Sequence, residues 1–566
     1  MIRVKSRLYR STALRLTPVF AAIGGPLLFA APAWAACSTS SPPDSSTVTC
    51  TTAGDQTTTV GTGKTNNNVT VEVQPNAVIN VTAGTPRDAI SLGDNATINI
   101  RSGAKVWNNT GTGSSGRFGT GPNTIEINQG GTILIEAGAS VIKTGSVSNG
   151  EAINVHGAGN RITNFGTIQA TDSAAIWFED QTAIGPKNIV DNYGSIIQTQ
   201  GRDVMGTSGG AGIQFYNQTG GRVQGNLVFA GGNDELFLYA NSLITGNIDG
   251  GGGTNDLTLQ GAAGSQDVLA GYVKNFSTLT KDGQGQWIMS GSLEGFTVVT
   301  VKNGKLTLTG NNVGYTGSAI VDPTGILEAR AQSLPVRSNP ANNLNNIQNN
   351  GLLRFTQPAG DDASYMGQIV GTGVVEKTGG GMVTLAPVAP GGNTYSGGTV
   401  IKEGVLAANA DSAIGAPSGG ITLDGGAFGF ASSFTLGAGR PVTVTSNNGG
   451  LYAGAGVTGT VTQGVSGPGA ITKSGDGAVV LTGANTYAGG TTIAAGALQL
   501  GDGGATGSII GNVANNGALI FNRADIVAFD GVISGTGNVQ QVGSGNTVLT
   551  ADNTYTGGTT ISAGGL

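Results

Sequence analysis

The chain is short of the side chains on which most chemistry depends. Histidine occurs once in 566 residues, at His156, so a nucleophilic triad would have to be built around that one imidazole. The two cysteines, Cys37 and Cys50, have no histidine and no third thiol nearby, which argues against a zinc site. Charged residues make up 11% and aromatic residues 5% of the chain. The formal net charge is −6, and aromatic and basic residues are not interleaved, so nucleic acid is not expected as a partner. Beyond the first 35 residues no 3.6-residue apolar period is sustained, which removes helical bundles from consideration.

What the chain has in abundance is glycine, 100 residues, set among Thr, Ser, Asn, Val and Ile. These are strand formers and corner formers. Hydrophobic residues reach 38% and alternate with polar ones, unlike the composition of a disordered linker. The length exceeds what one core usually supports, and an elongated repeat array fits better than a set of globules.

Residues 1–35 read as a secretory signal peptide. Arg3, Lys5, Arg7, Arg10 and Arg15 precede an apolar stretch, and Ala33-Trp34-Ala35 supplies a cleavage site between Ala35 and Ala36. Gly24-Gly25-Pro26 interrupts the apolar run, leaving it short of the roughly 20 residues a membrane-spanning helix needs. In an exported chain Cys37 and Cys50 are expected to form one disulfide, worth about 3 kcal/mol at most on the chain-entropy account. Residues 36–65 are then a cysteine-looped cap or linker.

From about Asn66 short alternating runs follow one another, among them Val69-Thr70-Val71-Glu72-Val73, Ala96-Thr97-Ile98-Asn99-Ile100 and Thr132-Ile133-Leu134-Ile135-Glu136, separated by Gly, Asn, Pro and Asp corners. Ile162-Thr163-Asn164-Phe165-Gly166-Thr167-Ile168 and Val190-Asp191-Asn192-Tyr193-Gly194-Ser195-Ile196 share one pattern 28 residues apart, and Asp234 and Asp256 head similar segments 22 apart. Periods of this size suit one turn of a solenoid with three short strands and three corners. The expected fold is all-β, a right-handed, three-sided parallel β-helix. About 22 coils at a spacing of about 4.8 Å would make a rod on the order of 100 Å long.

A longer repeat dominates the second half. Asn553-Thr554-Tyr555-Thr556-Gly557-Gly558-Thr559-Thr560-Ile561 has close copies at Asn485–Ile493, leading to Gly496 and Leu498, and at Asn393–Ile401, leading to Gly404 and Leu406. A looser copy contains Tyr315, Val321, Gly325 and Leu327. The repeat markers Tyr315, Tyr395, Tyr487 and Tyr555 are 80, 92 and 68 residues apart. Nine-residue segments starting at Lys281, Lys377, Lys473 and Gln541 share the form K/Q-x-G-x-G with an apolar ninth residue. After Leu385 the insertion Ala386-Pro387-Val388-Ala389-Pro390 is expected to form a protruding corner loop.

This tandem pattern resembles the passenger-associated transport repeat of Gram-negative autotransporters (type V secretion), over about residues 266–566. Residues 66–265 have only the general look of such a passenger. The resemblance implies a β-helical passenger, sent to the periplasm by its signal peptide and carried through the outer membrane by a C-terminal barrel to the cell surface, from which it is sometimes released. No barrel-like series of strands follows in this chain, and a fragment or incomplete gene model is the reading. By the same resemblance the passenger is expected to be an adhesin or self-association scaffold, meeting host or sister-cell surface molecules. A carbohydrate-active β-helix enzyme and an inert stalk are the alternatives.

Candidates for chemistry are few. Ser208, in Gly206-Thr207-Ser208-Gly209, echoes a protease motif whose remainder is missing. Glu179-Asp180 and Asp361-Asp362 are carboxylate pairs, but neighbours on a strand point to opposite faces and do not form an acid/base couple. The Gly- and Asp-rich segments at Asp234 and Asp256 lack the tandem nonapeptides of a calcium solenoid. Gly61-Thr62-Gly63-Lys64-Thr65 looks like half a phosphate loop, with Thr58 in place of the first glycine. The chain is therefore read as a non-enzyme, with no cofactor and no metal.

Overall fold

The computed structural model describes residues 36–566 except 54–55, 64, 83–86, 111–120, 146–149, 182–184, 230, 292, 313–314 and 337–345. The signal segment, with Ala35, and Lys64 therefore lie outside the described residues. Among the described residues no helix is long and apolar enough to cross a membrane.

The chain winds into a parallel β-solenoid of about 22 turns. Each coil places the same kind of residue on its neighbours above and below. The column Val48, Val71, Ile98, Ile133, Ile162, Val190, Phe215, Leu236, Leu257, Leu279, Val299 and Ala319 runs in register through twelve strands, and each of its members is at most 2% exposed. Burial of each Val, Ile or Leu contributes about 1.5–3 kcal/mol, and the stacking explains why β-branched residues recur at inward positions. The two segments related by 28 residues lie directly one above the other, with Ile162 over Val190, Asn164 over Asn192 and Ile168 over Ile196.

Up to Glu294 the coil has three faces. The first carries the column above. The second runs from Val78–Val81 through Lys105–Asn108, Ser140–Lys143, Thr167–Ala170, Ser195–Gln198 and Arg222–Gln224 to Leu243–Ile244. The third runs from Ile90–Ser91 through Ile125–Ile127, Ile153–His156, Ile176–Gln181, Asp203–Gly209 and Asn226–Val228 to Leu293–Glu294. The long strands Val298–Leu308 and Ser318–Ala329 then replace two short strands each, and a fresh pair of sheets begins at Ala363–Tyr365 and Phe434–Leu436.

At two of the expected boundaries the stack is continuous. A first complete coil precedes Asn66: Thr47–Thr51 pairs with Thr70–Val73, Gln56 bridges to Ile79 and Val60 to Ile90. Its corners are rich in threonine rather than glycine, which hid the turn. The strand before it, Ala36–Cys37, runs antiparallel to Thr47–Thr51, and the Cys37–Cys50 disulfide ties the two together. At residue 265 the stack continues, since Asp256–Gly261 pairs along its length with Thr278–Gly283. The architecture changes instead at Val298. The register of the Asp-rich segments also differs by one residue from the sequence reading. Glu235 lies over Asp256 and Leu236 over Leu257, because alternation fixes which residues face the core.

Candidate functional site

In the transport repeat each marked residue closes a corner. Tyr395 and Tyr487 are fully buried, and burial pushes both phenols up to about 12. Each hydroxyl pairs with the threonine hydroxyl four residues on, Tyr395 with Thr399 at 2.8 Å and Tyr487 with Thr491 at 2.6 Å. Tyr555 repeats the pair with Thr559 at 2.6 Å. The asparagine two residues earlier staples three coils. Asn485 Oδ1 accepts from the Val465 amide at 2.8 Å in the coil before, and its Nδ2 donates to the Ser508 carbonyl at 2.8 Å in the coil after. Asn393 makes the same bonds to Ile369 and Ala413.

The lysines that open the upstream segments point inward, which the sequence reading had not assigned. Lys473 stacks between Leu451 and Ile493 in the core column, Lys377 between Phe355 and Ile401, and Lys281 between Leu259 and Val301. Each is fully buried. The Nζ of Lys473 donates to the carbonyls of Ser474, Gly475 and Ala495 at 2.9, 2.7 and 3.1 Å. Lys281 and Lys377 make the corresponding three bonds. Burial pulls all three ammonium groups down to about 8. In the last copy Gln541 serves instead, with Nε2 on the Gly543 and Gly545 carbonyls at 2.9 Å each. Gly496, at φ +64°, passes so close over this corner that a Cβ would strike the Gly475 and Gly477 carbonyls. The repeat is therefore a register device: the Ile of one coil covers the Lys or Gln of the coil below.

The first copy departs from this plan. Val301, Gly304 and Leu306 occupy the coil above Lys281, and Tyr315 belongs to the coil after that, where Val321 covers Val301. Tyr315 donates to the Ser318 backbone carbonyl, and the residue four on is Ala319 where the other copies have threonine.

Polar chemistry gathers on the outer surface of the third face. Glu126, Asn154 and Trp177 are in register between inward residues. His156 lies beside them, 4% exposed, with Nε2 at 3.1 Å from Glu126 Oε1 and 3.6 Å from Glu179 Oε2. Ser91 Oγ donates to Glu126 at 2.9 Å, and Asn154 Nδ2 to Glu179 at 3.2 Å. Asp88 hydrogen-bonds Glu126, and burial next to that carboxylate drives the Asp88 carboxyl up. Burial also opposes the charge on Glu126, but hydrogen bonds from His156 and Asp88 outweigh it and hold that group down. Deeper, Glu151 accepts from Ser173 Oγ at 2.7 Å, and burial pushes its carboxyl up to about 7.

Next to this cluster is a cavity of about 550 Å³, bordered by Asp172, Ser173, Trp177, Arg202, Asp203, Thr207 and Phe229. The Trp177 ring lies over Gly206, where any Cβ would collide with it. Arg202 Nη1 donates to the Asp172 carbonyl at 3.2 Å, and Asn226 Nδ2 to Asp203 at 3.2 Å.

Other residues singled out in the sequence do structural work. Ser208 is exposed in the strand Asp203–Gly209, whereas His156 meets the carboxylates of Glu126 and Glu179. Asp361 accepts from Gln332 and Asp362 from the Met382 amide, so that pair secures a corner. The Asp180 side chain lies outside the described residues. Asp234 is buried and takes the Ile213 amide at 2.6 Å, while Asp256 takes the Thr278 hydroxyl at 2.6 Å. Among the described residues no group of three or more His, Cys, Asp or Glu side chains is arranged to hold a metal ion. In the segment after Leu385 the Val388 side chain is exposed, while the Ala386 and Val388 amides donate to the Tyr365 and Met366 carbonyls of the coil below at 2.9 and 3.2 Å.

Three stretches of the chain, 375–408, 471–500 and 539–566, match the passenger-associated-transport-repeat family model, and they contain Tyr395, Tyr487 and Tyr555 but not Tyr315. On a parallel solenoid these repeats support an autotransporter passenger, a class exported to the cell surface or outer membrane. Over 171 residues the chain is 36% identical to the adhesin BmaC autotransporter of Brucella suis biovar 1 (strain 1330), a match that covers 30% of this chain and 5% of that protein. The chain therefore matches only a small part of the length of that curated relative. No solved structure matches the chain.

Proposed function

We propose that the chain is the shaft and contact surface of an adhesin, binding molecules on host or sister-cell surfaces and associating with copies of itself. The observation that carries this reading is the combination of transport repeats with a long solenoid whose outward positions are polar. Many weak contacts along such a surface add up through multivalency. Likeness to a named adhesin supports the reading by analogy. In this division of labour residues 1–35 are the signal peptide, cleaved between Ala35 and Ala36. Residues 36–65 close the N-terminal end, 66–265 carry the contacts and 266–566 hold the register.

The test is adherence of beads coated with the purified chain to cultured epithelial cells and to one another. Saturable adherence is expected. Binding no greater than that of beads bearing an unrelated β-solenoid of similar charge would sink the proposal.

One observation favours a second reading, a carbohydrate-active enzyme: Asp172, Asp203 and Arg202 converge on one cavity. We read the chain as non-catalytic, in keeping with its likeness to a named adhesin. Release of new reducing ends or unsaturated uronates from a polysaccharide panel would reverse that choice.

A further inference from the structure

The third-face cavity stands apart from the rest of the rod surface. Most outward positions are occupied by Thr, Asn, Ser and Gln on a flat sheet, which offers hydrogen bonds but no enclosure. Here an aromatic ring, two carboxylates, a guanidinium and a hydroxyl meet around about 550 Å³, within the range of small-molecule sites. Phe229, 2% exposed, adds an apolar wall. Strands from successive coils hold these groups: Trp177 is on Ile176–Gln181, and Asp203 and Thr207 are on Asp203–Gly209. Asp172, Ser173 and Arg202 come from the corners that flank these strands. Gly206 is the complement of Trp177, since a side chain there would displace the ring.

We propose that this cavity binds one neutral pyranose ring of a surface glycan, and the proposal rests on the adhesin reading. The apolar face of a pyranose matches an aromatic wall, and adjacent hydroxyls are pairs of donors suited to the acceptor oxygens of Asp172 and Asp203. Charge selects against acidic sugars. Two carboxylates face a single guanidinium, and Arg202 already spends one N–H on the Asp172 carbonyl, so a uronate would meet net repulsion.

Saturation-transfer NMR on the full purified chain, with methyl glucoside, galactoside, mannoside and glucuronide as probes, tests this. Transfer to at least one neutral glycoside is expected, with weaker or no transfer to the glucuronide. Trp177→Ala is expected to abolish it, and Asp203→Asn to weaken affinity about tenfold or more. Asp203 is exposed at the rim, so its substitution keeps the test sound should Trp177→Ala fail to fold. Absence of transfer to all three neutral glycosides on folded chain would overturn the proposal, as would preference for the glucuronide or unchanged binding by Asp203→Asn. Bead adherence separates the two readings. Cells that adhere although no glycoside binds leave the adhesin reading standing and remove the sugar site; a bound glycoside without adherence does the reverse.

Discussion

Between Ile162 and Leu243 the coils are closed by ladders of like residues, and between Lys377 and Leu566 by a repeated set of unlike ones. In the earlier region Asn164 Nδ2 donates to Asn192 Oδ1, and Asn192 Nδ2 to Asn217 Oδ1, each at 2.8 Å. Beside them Phe165 stacks on Tyr193, and Tyr216 on Phe237, with centroids 4.6 and 4.5 Å apart. Such ladders are satisfied by any neighbour of the same type. In the later region Asn, Lys and Ile have fixed partners one coil away, and the Tyr–Thr hydroxyl pair fixes the corner within each coil, so only one alignment satisfies them all. The difference is one of purpose. The later coils spend their polar groups on register, while the earlier coils leave an outward face on which carboxylates, an imidazole and a cavity collect.

Substitutions should separate the two regions. The largest effect is expected from Tyr487→Ala, which empties a buried aromatic site at a cost of about 3–5 kcal/mol. Hydrogen exchange should show protection lost around 465–515 and kept around 88–229, because a solenoid coil depends chiefly on its neighbours. Asn192→Ala should come next, at about 1–3 kcal/mol, since it strands the Asn164 amide and an acceptor on Asn217. Chemical denaturation followed by exchange at 160–220 would measure it.

The lysine lock carries a pH signature. Lys473 has its ammonium held down to about 8 by burial, below the ordinary 10.5, so between those values the unfolded chain binds more protons than the folded one. Stability should therefore rise with pH from about 8 to about 10.5. Lys473→Gln, which copies Gln541, is expected to fold and to lessen that slope while Lys281 and Lys377 keep their share, and melting curves across this range would show it. The smallest effect belongs to the outer charge ladder, where Arg354 joins Glu328 at 2.9 Å and Glu376 at 2.5 Å. Arg354→Ala should cost about 1 kcal/mol, because the buried Glu376 keeps Lys402 at 2.9 Å and Glu328 keeps Lys305 at 3.4 Å; urea melts of the variant would measure it.

The comparison also explains what could be read in advance. Ile162/Val190 and the Tyr487-type repeats were legible because equal coil lengths repeat whole strings of residues. The third-face cluster was not, because its coils are unequal: Ile90, Ile125, Ile153, Ile176 and Met205 stack in one column at intervals of 35, 28, 23 and 29 residues. The one available signal was a polar residue between two inward apolar ones, as in Ile125-Glu126-Ile127 and Ile153-Asn154-Val155. The inward lysines escaped notice for a related reason. A charged residue near the end of a short strand reads as solvent-facing until the three corner carbonyls around its ammonium are seen.

The central claim is that contact chemistry belongs to the earlier coils and register to the later ones. Bead adherence to cells should be compared for Asp203→Asn and Tyr487→Phe, a substitution that keeps the ring and removes only the hydroxyl pair with Thr491. The account predicts that Asp203→Asn lowers adherence and Tyr487→Phe leaves it unchanged. Adherence that survives Asp203→Asn and falls with Tyr487→Phe would contradict it.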